Sequence, residues 1–172
     1  MELWDIYDRQ GNRTGRTGIK GQPLGTDEYQ LVVEAWVINA NFEILLQRRS
    51  PNCRILPNVW CHTTGRITAG ESSLQGCMRE VQEELGVEIL PDEIHFLQRI
   101  SRDDNTHMIW DIFLIRKNIR DTEFKLQPSE VAAVKWVSEA AFRQMIQSGE
   151  CFQYPEIFDV LDQIKREWRP FE

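Results

Sequence analysis

Long apolar runs are missing from this chain of 172 residues. No stretch approaches the roughly 20 consecutive apolar residues that a membrane-spanning helix requires. The opening residues MELWD also lack the basic and apolar segments of a signal peptide. These absences predict a cytoplasmic protein that makes no membrane contact.

Basic residues are scarce relative to acidic ones. The chain has 20 Lys and Arg against 27 Asp and Glu, which gives a formal net charge of −7. Long nucleic acid is disfavoured as a partner, because binding to its backbone relies on clustered positive charge. A small anionic substrate stays open, since a bound cation reverses the local field.

Cysteine and histidine are few, and their spacing is uninformative. The four cysteines, at positions 53, 61, 77 and 151, include no CxxC pair. Free thiols are therefore expected. Cys61 and His62 are adjacent, but neighbouring residues on a strand point to opposite faces, and no second pair stands at zinc spacing. We interpret them as a core cysteine and a surface or pocket histidine.

The pattern along the chain predicts one domain over residues 1–172, with an N-terminal β-hairpin extension over about 1–28. No repeat, low-complexity segment or linker interrupts it. Strand and helix patterns alternate in a way that favours an α+β or α/β fold with a mixed sheet. The predicted strands cover 3–8, 13–19, 29–39, 42–48, 60–64, 87–89, 94–101, 108–116 and 131–137. Two helices are predicted late in the chain, over about 139–147 and from Pro155 onwards.

One further helix is predicted between Ser72 and Gly86. Ser72 suits the N-cap, Gln75 stands at the capping-box position, and Gly86 suits the residue after the last turn. Its apolar positions recur at helical spacing and predict a buried stripe: Leu74, Cys77, Met78, Val81 and Leu85.

Three glutamates occupy another face of this helix. Glu80, Glu83 and Glu84 are three and four residues apart, so their carboxylates should converge within about one turn. Taken alone, such a group is typical of a solvated acidic face. A functional reading requires a divalent cation to offset the repulsion, and ligands that are all oxygen favour Mg²⁺ or Mn²⁺.

The surrounding spacing favours the functional reading. Residues 65–87 resemble the Nudix hydrolase signature, G-x5-E-x7-R-E-U-x-E-E-x-G-U with U aliphatic. All nine fixed positions are matched: Gly65, Glu71, Arg79, Glu80, Val81, Glu83, Glu84, Gly86 and Val87. The resemblance implies an α/β/α sandwich with a mixed sheet, against one face of which the catalytic loop and helix pack.

The resemblance also implies roles for individual residues. Metal ligands would be Glu80, Glu83, Glu84 and the backbone carbonyl of Thr64. Arg79 would position the glutamates, and Glu71 would hold the motif together. Glu130, six residues before Trp136, is either an auxiliary metal ligand or base, or a surface residue of its loop. The catalytic set is thus expected to contain Arg79, Glu80, Glu83 and Glu130.

Outside this motif, four segments, residues 4–8, 15–25, 44–51 and 57–60, resemble the isopentenyl diphosphate isomerase-like branch of the family. True isomerases carry a cysteine before the motif's glycine and a histidine after it. Here Thr64 and Arg66 hold those positions, and no histidine precedes His62. Hydrolysis is therefore the expected reaction, with isomerisation as the alternative. A ligand-binding module without turnover is a third possibility, although such modules often lack glutamates that are all present here.

The implied function is Mg²⁺-dependent hydrolysis, with Mn²⁺ as a substitute. Water would attack phosphorus in a nucleoside diphosphate derivative or a related small diphosphate. Arg48, Arg66 and Trp36 are the candidates for substrate binding, and the protein is expected to be a monomer or a homodimer. The identity of the substrate does not follow from the sequence.

Overall fold

The computed structural model describes residues 2–102 and 104–172. Its elements follow the predicted order of strands, helix, strands and helices. They are β1 (Leu3–Tyr7), β2 (Arg13–Ile19), β3 (Gln30–Ile38), β4 (Ile44–Arg49), β5 (Trp60–Cys61), β6 (Thr63–Arg66), α1 (Ser73–Leu85), β7 (Ile94–Ser101), β8 (Met108–Arg116), a short 3₁₀ turn (Asp121–Glu123), β9 (Val131–Val137), α2 (Glu139–Ser148) and α3 (Ile157–Glu167).

A mixed sheet organises the molecule around β3. Along the sheet the order is β5-β4-β3-β8-β7, with β6 also paired to β3 and β9 to β4. β3 runs parallel to β8 and antiparallel to β4 and β6. Every residue of β3 is buried, as expected of a β-branched and aromatic central strand. The predicted mixed sheet is confirmed.

Helices cover both faces of this sheet. On one face, α1 contributes Cys77, Val81 and Leu85 to a core that includes the odd-numbered residues Leu31 to Val37 of β3. On the other face, α2 and α3 pack over Trp36 and Ile38. The α/β/α arrangement is thereby confirmed. Within the described residues, no helix is both long and apolar enough to cross a membrane.

The ends of α1 form as its sequence predicts. Ser72 and Gln75 make a reciprocal capping box, and Gly86 ends the helix at φ 69°, a left-handed conformation that favours glycine. The buried stripe is narrower than predicted, because Leu74 in the first turn is 38% exposed. All four cysteines are free thiols, which confirms that expectation.

The predicted strand at 87–89 is wrong. Val87 and Ile89 are buried in the core beside α1, but their backbone belongs to no strand. Alternation of buried and exposed residues imitated a strand here, although no strand of the described residues pairs with it.

β1 and β2 form the predicted N-terminal hairpin, a separate two-stranded sheet. It holds the loop that precedes α1. Asp5 accepts a hydrogen bond from the backbone N–H of Gly70 at 2.9 Å, and the carbonyl of Leu3 accepts one from Ala69 at 2.9 Å. The Arg13 guanidinium donates to the carbonyl of Glu71. The hairpin thus fixes the backbone that positions α1.

His62 lies in the core on the face covered by α2, not at a surface or in a pocket as expected. Its ring stacks on Trp36, with centroids 3.9 Å apart, and lies 5.5 Å from Phe142. Both ring nitrogens are buried without a hydrogen-bond partner among the described residues. Burial lowers the pKa of His62 to about 3.

We expect His62→Phe to raise the free energy of unfolding by about 1–2 kcal/mol at pH 7, because it removes two unsatisfied nitrogens and keeps the stacked ring. Between pH 6.5 and 3 the unfolded protein binds a proton at His62 and the folded protein does not. Wild-type stability therefore decreases as the pH is lowered through that window. At pH 5 the variant should therefore gain about 2 kcal/mol more. Urea unfolding at pH 7 and 5 measures both effects. The control is His95→Phe, at a half-buried histidine. If His62→Phe lost as much stability as the wild type between pH 7 and 5, the explanation would be refuted.

Candidate active site

Arg79, in the middle of α1, binds three carboxylates and a carbonyl at once. Its Nε and Nη2 donate to the two carboxylate oxygens of Glu71, at 2.8 and 3.1 Å. Its Nη1 donates to Glu80 at 2.8 Å and to Glu83 at 3.1 Å, and Nη2 also reaches the carbonyl of Arg66 at 3.1 Å. A planar guanidinium suits such forked binding, which fixes carboxylates in position.

Glu71 joins the loop before α1 to the helix. Besides Arg79, it accepts hydrogen bonds from the backbone N–H and the hydroxyl of Thr68, at 3.1 and 3.0 Å. Burial alone would raise the pKa of Glu71, but these hydrogen bonds outweigh burial and lower it. Its contacts are those of a residue that holds the loop together.

Glu80 lies directly against Gly65. A Cβ atom at position 65 would collide with the Glu80 carboxylate, so only glycine leaves the room that this carboxylate occupies. Burial raises the pKa of Glu80, and the proximity of Glu83 adds to this, while Arg79 opposes it. The helix carboxylate and the end of β6 thus meet at this glycine.

Glu84 points away from Arg79, into the protein. Gln47 of β4 donates to its Oε2 at 2.5 Å and accepts from the hydroxyl of Thr63 at 2.7 Å. Burial raises the pKa of Glu84 to about 7, with further contributions from Glu80 and Glu130. This chain of polar groups was not predicted, although a glutamine inside an otherwise apolar strand is a signal that can be read from sequence.

Glu130 precedes β9 and faces the loop that follows β4. Its carbonyl accepts from the backbone N–H of Ser50 at 2.8 Å, and the Cys53 thiol lies 3.6 Å from its carboxylate. Its charge raises the pKa of Glu84. Two carboxylates from distant parts of the chain therefore interact electrostatically.

Glu80 and Glu83 converge on the Arg79 guanidinium, but Glu84 does not join them. Arg79 draws Glu80 and Glu83 towards itself, while Gln47 directs Glu84 elsewhere. Glu83 remains 53% exposed. In the part of the chain that is described, no three acidic, histidine or cysteine side chains are gathered in an arrangement that could hold a metal ion.

Comparison with known proteins assigns this arrangement to a family. The family model described as NUDIX domain matches residues 28–153. The chain belongs to the Nudix hydrolase family. An uncharacterized Nudix hydrolase of Listeria monocytogenes is 30% identical over 161 residues, covering 90% of each chain. An isopentenyl-diphosphate Delta-isomerase of Escherichia coli is 26% identical over 135 residues, covering 71% of this chain and 74% of the isomerase.

Solved structures agree on the Nudix fold. The crystal structure of DR0079 from Deinococcus radiodurans superposes with a TM-score of 0.75 and covers 98% of this chain and 100% of that one. The two sequences are 21% identical. At this identity the likeness concerns the fold alone.

The donors of this Nudix site fit a hard divalent cation in their chemistry. Glu80, Glu84 and Glu130 offer only oxygen, which Mg²⁺ and Mn²⁺ prefer. Burial, together with neighbouring carboxylates, raises the pKa values of Glu80 and Glu84, so a cation beside them would favour their ionised forms. Thr64, whose carbonyl is the fourth expected ligand, immediately precedes Gly65 in β6.

The three candidates for substrate binding lie on the sheet face opposite α1. The Arg66 guanidinium donates to Gln30 at 2.9 Å and lies over Trp4, 5.6 Å from its ring. Arg48 lies over Trp60 at 5.8 Å. Trp36 is completely buried, so its ring has no surface to offer a substrate. Its indole N–H donates a hydrogen bond to Glu34.

Cys61 is not available as an isomerase-type acid or base. Its side chain is buried on the same sheet face as that of Gln47, its cross-strand partner in β4. Burial raises the pKa of its thiol to about 12, so the thiol stays protonated at neutral pH.

A buried acid that the sequence analysis missed lies one strand away from the Nudix motif. Glu34, in the centre of β3, is 1% exposed and is the cross-strand partner of Thr64. Its Oε1 accepts hydrogen bonds from Trp36 Nε1 and from the hydroxyl of Tyr154, both at 2.6 Å. A lone glutamate in the middle of an apolar central strand was the available signal.

Proposed function

We propose that this protein hydrolyses a diphosphate linkage in a nucleoside diphosphate derivative or a related small diphosphate, by attack of water on phosphorus. The observation that carries the proposal is the pair Glu80 and Glu84. Glu84 is buried and Glu80 is largely buried, both have raised pKa values, and no lysine or arginine forms a salt bridge with Glu84 in the described chain. Buried carboxylates of this kind are unfavourable unless a cation joins them.

Glu80, Glu84 and Glu83 would hold Mg²⁺ or Mn²⁺, with the Thr64 carbonyl as a further ligand. When bound, the ion would offset the negative charge of the diphosphate and acidify a water molecule. Arg79 and Glu71 position Glu80 against Gly65. Glu130, coupled to Glu84, is placed to act as an auxiliary ligand or as a base for the attacking water.

The isomerase alternative is weaker on the same geometry. Residues 64 and 66 are threonine and arginine, and the nearest cysteine is buried and protonated. A module that binds a ligand without turnover would not require the full set of glutamates around Arg79.

The test is a hydrolysis screen in metal-depleted buffer with added Mg²⁺, Mn²⁺ or EDTA. Substrates are nucleoside di- and triphosphates, nucleotide sugars, dinucleotides and isopentenyl diphosphate. We expect turnover only with millimolar Mg²⁺ or Mn²⁺, because all the proposed ligands are oxygen.

Phosphorus NMR of products formed in ¹⁸O-water shows whether water attacks phosphorus. Unlabelled products would contradict that mechanism, and full turnover in EDTA would contradict the metal requirement. Formation of the double-bond isomer of isopentenyl diphosphate without phosphate release would instead establish the isomerase.

A further inference from the structure

The sheet face opposite α1 is less deeply buried towards the N-terminal end of β3. The even-numbered residues of β3 and their cross-strand partners in β6 and β8 share this face. Towards the C-terminal end of β3, α2 and α3 cover Trp36 and Ile38 completely. Towards its N-terminal end the neighbouring side chains are only half-buried: Thr64, Arg66, Met108 and Trp110. Val32 and Glu34 lie among these four residues on the same face.

Tyr154 lies beside Glu34 on this face. It comes from the segment between α2 and α3, and Arg102 lies over its ring at 5.2 Å. Arg102 is itself held by Glu156 through Nε and Nη2, the shortest contact being 2.6 Å. These contacts fix the Tyr154 ring in the position from which its hydroxyl donates to Glu34.

The fold does not require a carboxylate at position 34. Both hydrogen bonds to Glu34 end on Oε1, and a glutamine oxygen would accept them equally well. Among the described residues, Oε2 accepts no hydrogen bond and no salt bridge reaches Glu34. A buried carboxylate oxygen without a partner therefore remains available beside Tyr154, although burial raises the pKa of Glu34 to about 7.

Glu34 is also linked to the catalytic motif through the backbone. Its cross-strand partner Thr64 precedes Gly65, and Gly65 contacts Glu80. Glu80 meets Gly65 from the α1 side of the sheet, whereas the Thr64 backbone lies in the plane of the sheet. A substrate whose diphosphate is held at the Thr64 carbonyl can extend over the opposite face towards Glu34. The half-buried rings of Trp110 and Tyr154 offer flat surfaces of the kind that pack against a base or a sugar.

We propose that Glu34 is the specificity-determining residue of the site: its Oε2 accepts a hydrogen bond from an amino or hydroxyl group on the part of the substrate attached to the diphosphate. Tyr154 and Trp36 position this carboxylate. The proposal rests on the diphosphate-hydrolase function proposed above and adds the chemistry of the group that is selected.

Glu34→Gln gives a test with a direction. Tyr154 and Trp36 are both donors to Oε1, so they hold the glutamine oxygen in that place and leave the NH₂ group where Oε2 was. The variant thus presents a donor in place of an acceptor. Nucleotides that differ by an amino or a carbonyl group at one ring position, CDP against UDP and ADP against IDP, distinguish the two.

We expect the wild type to favour the amino-bearing member of a pair by about 10-fold or more in kcat/KM, and the variant to reverse this preference. If a sugar hydroxyl is the donor, the wild type instead loses about 10-fold on the 2′- or 3′-deoxynucleotide, and the variant loses much less. Identical ratios in wild type and variant for every pair would overturn the proposal. Glu43→Gln, at the turn after β3 where Asn39 donates to the carboxylate, is the matched control and should retain the wild-type ratios.

Calorimetric titration of the same nucleotides in EDTA separates this proposal from the proposed hydrolysis. If no nucleotide is hydrolysed but binding preference reverses in Glu34→Gln, the hydrolase assignment fails and the specificity site stands. If hydrolysis occurs but Glu34→Gln leaves the binding preferences unchanged, the hydrolase assignment stands and the specificity site fails. Should Glu34→Gln fail to fold, Tyr154→Phe carries the test: weaker discrimination with kcat within a few-fold of wild type supports the proposal, and unchanged discrimination refutes it.

Discussion

Replacing Glu80 by glutamine should lower kcat by about 100-fold or more and leave the protein folded. Glutamine keeps the size of the side chain against Gly65 but removes a charged ligand, and the loss of one strong electrostatic stabiliser in a site has effects of this size. Folding should not suffer, because burial already raises the pKa of Glu80 and a neutral side chain relieves that penalty. Steady-state kinetics and thermal unfolding in EDTA measure the two effects.

Two further variants belong beside it. Cys61→Ala should retain activity per folded molecule, because its thiol is buried and protonated. Glu130→Gln should cost less than Glu80→Gln if Glu130 is auxiliary, and as much if it is the base. An inactive Cys61→Ala together with a fully active Glu80→Gln would reverse the assignment in favour of isomerase chemistry.

Glu83→Gln provides a test of the carboxylates as structural elements. Glu83 is half-exposed and makes one contact with Arg79 at 3.1 Å. Removing a like charge from this crowded helix face should leave stability unchanged or slightly higher. A large loss of thermal stability in EDTA would show that the glutamates support the fold and not the reaction.

Local patterns explain why α1 could be predicted closely. Its cap, its end at Gly86 and the spacing of its glutamates all lie within a short stretch, so helical geometry alone relates them. The same rules failed where contacts from elsewhere intervene. Gln47 holds Glu84 apart from the carboxylates that Arg79 binds, and Leu74 lies beyond the surface that the sheet covers.

The contacts missing from the sequence analysis join distant parts of the chain. Gln47 reaches Glu84 across 37 residues, and Tyr154 reaches Glu34 across 120. No periodicity encodes such pairs, since they depend on which strands become neighbours. The sequence does show that a polar residue stands in an apolar strand. It does not show which residue will be its partner.

Replacing Arg79 by methionine should lower the free energy of unfolding by about 2–4 kcal/mol. The guanidinium contacts Glu71 and Glu80, whose side chains are only 14% and 15% exposed, and its loss leaves both carboxylates largely buried and without a cation. Breaking a fully buried pair costs about 3–5 kcal/mol, and Arg79 is itself 27% exposed, so we expect a somewhat smaller value. Arg143→Met, which removes a guanidinium bound to Glu139 and Asp162 on the more exposed α2 surface, should cost less than about 1 kcal/mol.

The pH dependence of this loss identifies its cause. The lowered pKa of Glu71 means that its pairing contributes stability above about pH 4.5, the ordinary value, and that this contribution disappears as the pH falls through the lower folded value. The difference between wild type and Arg79→Met should therefore shrink on acidification. In the double variant with Glu71→Gln, much of the loss should be recovered, because one buried charge is gone. An Arg79→Met variant no less stable than Arg143→Met, or a difference that does not change with pH, would show that Arg79 does not hold the motif together through charge.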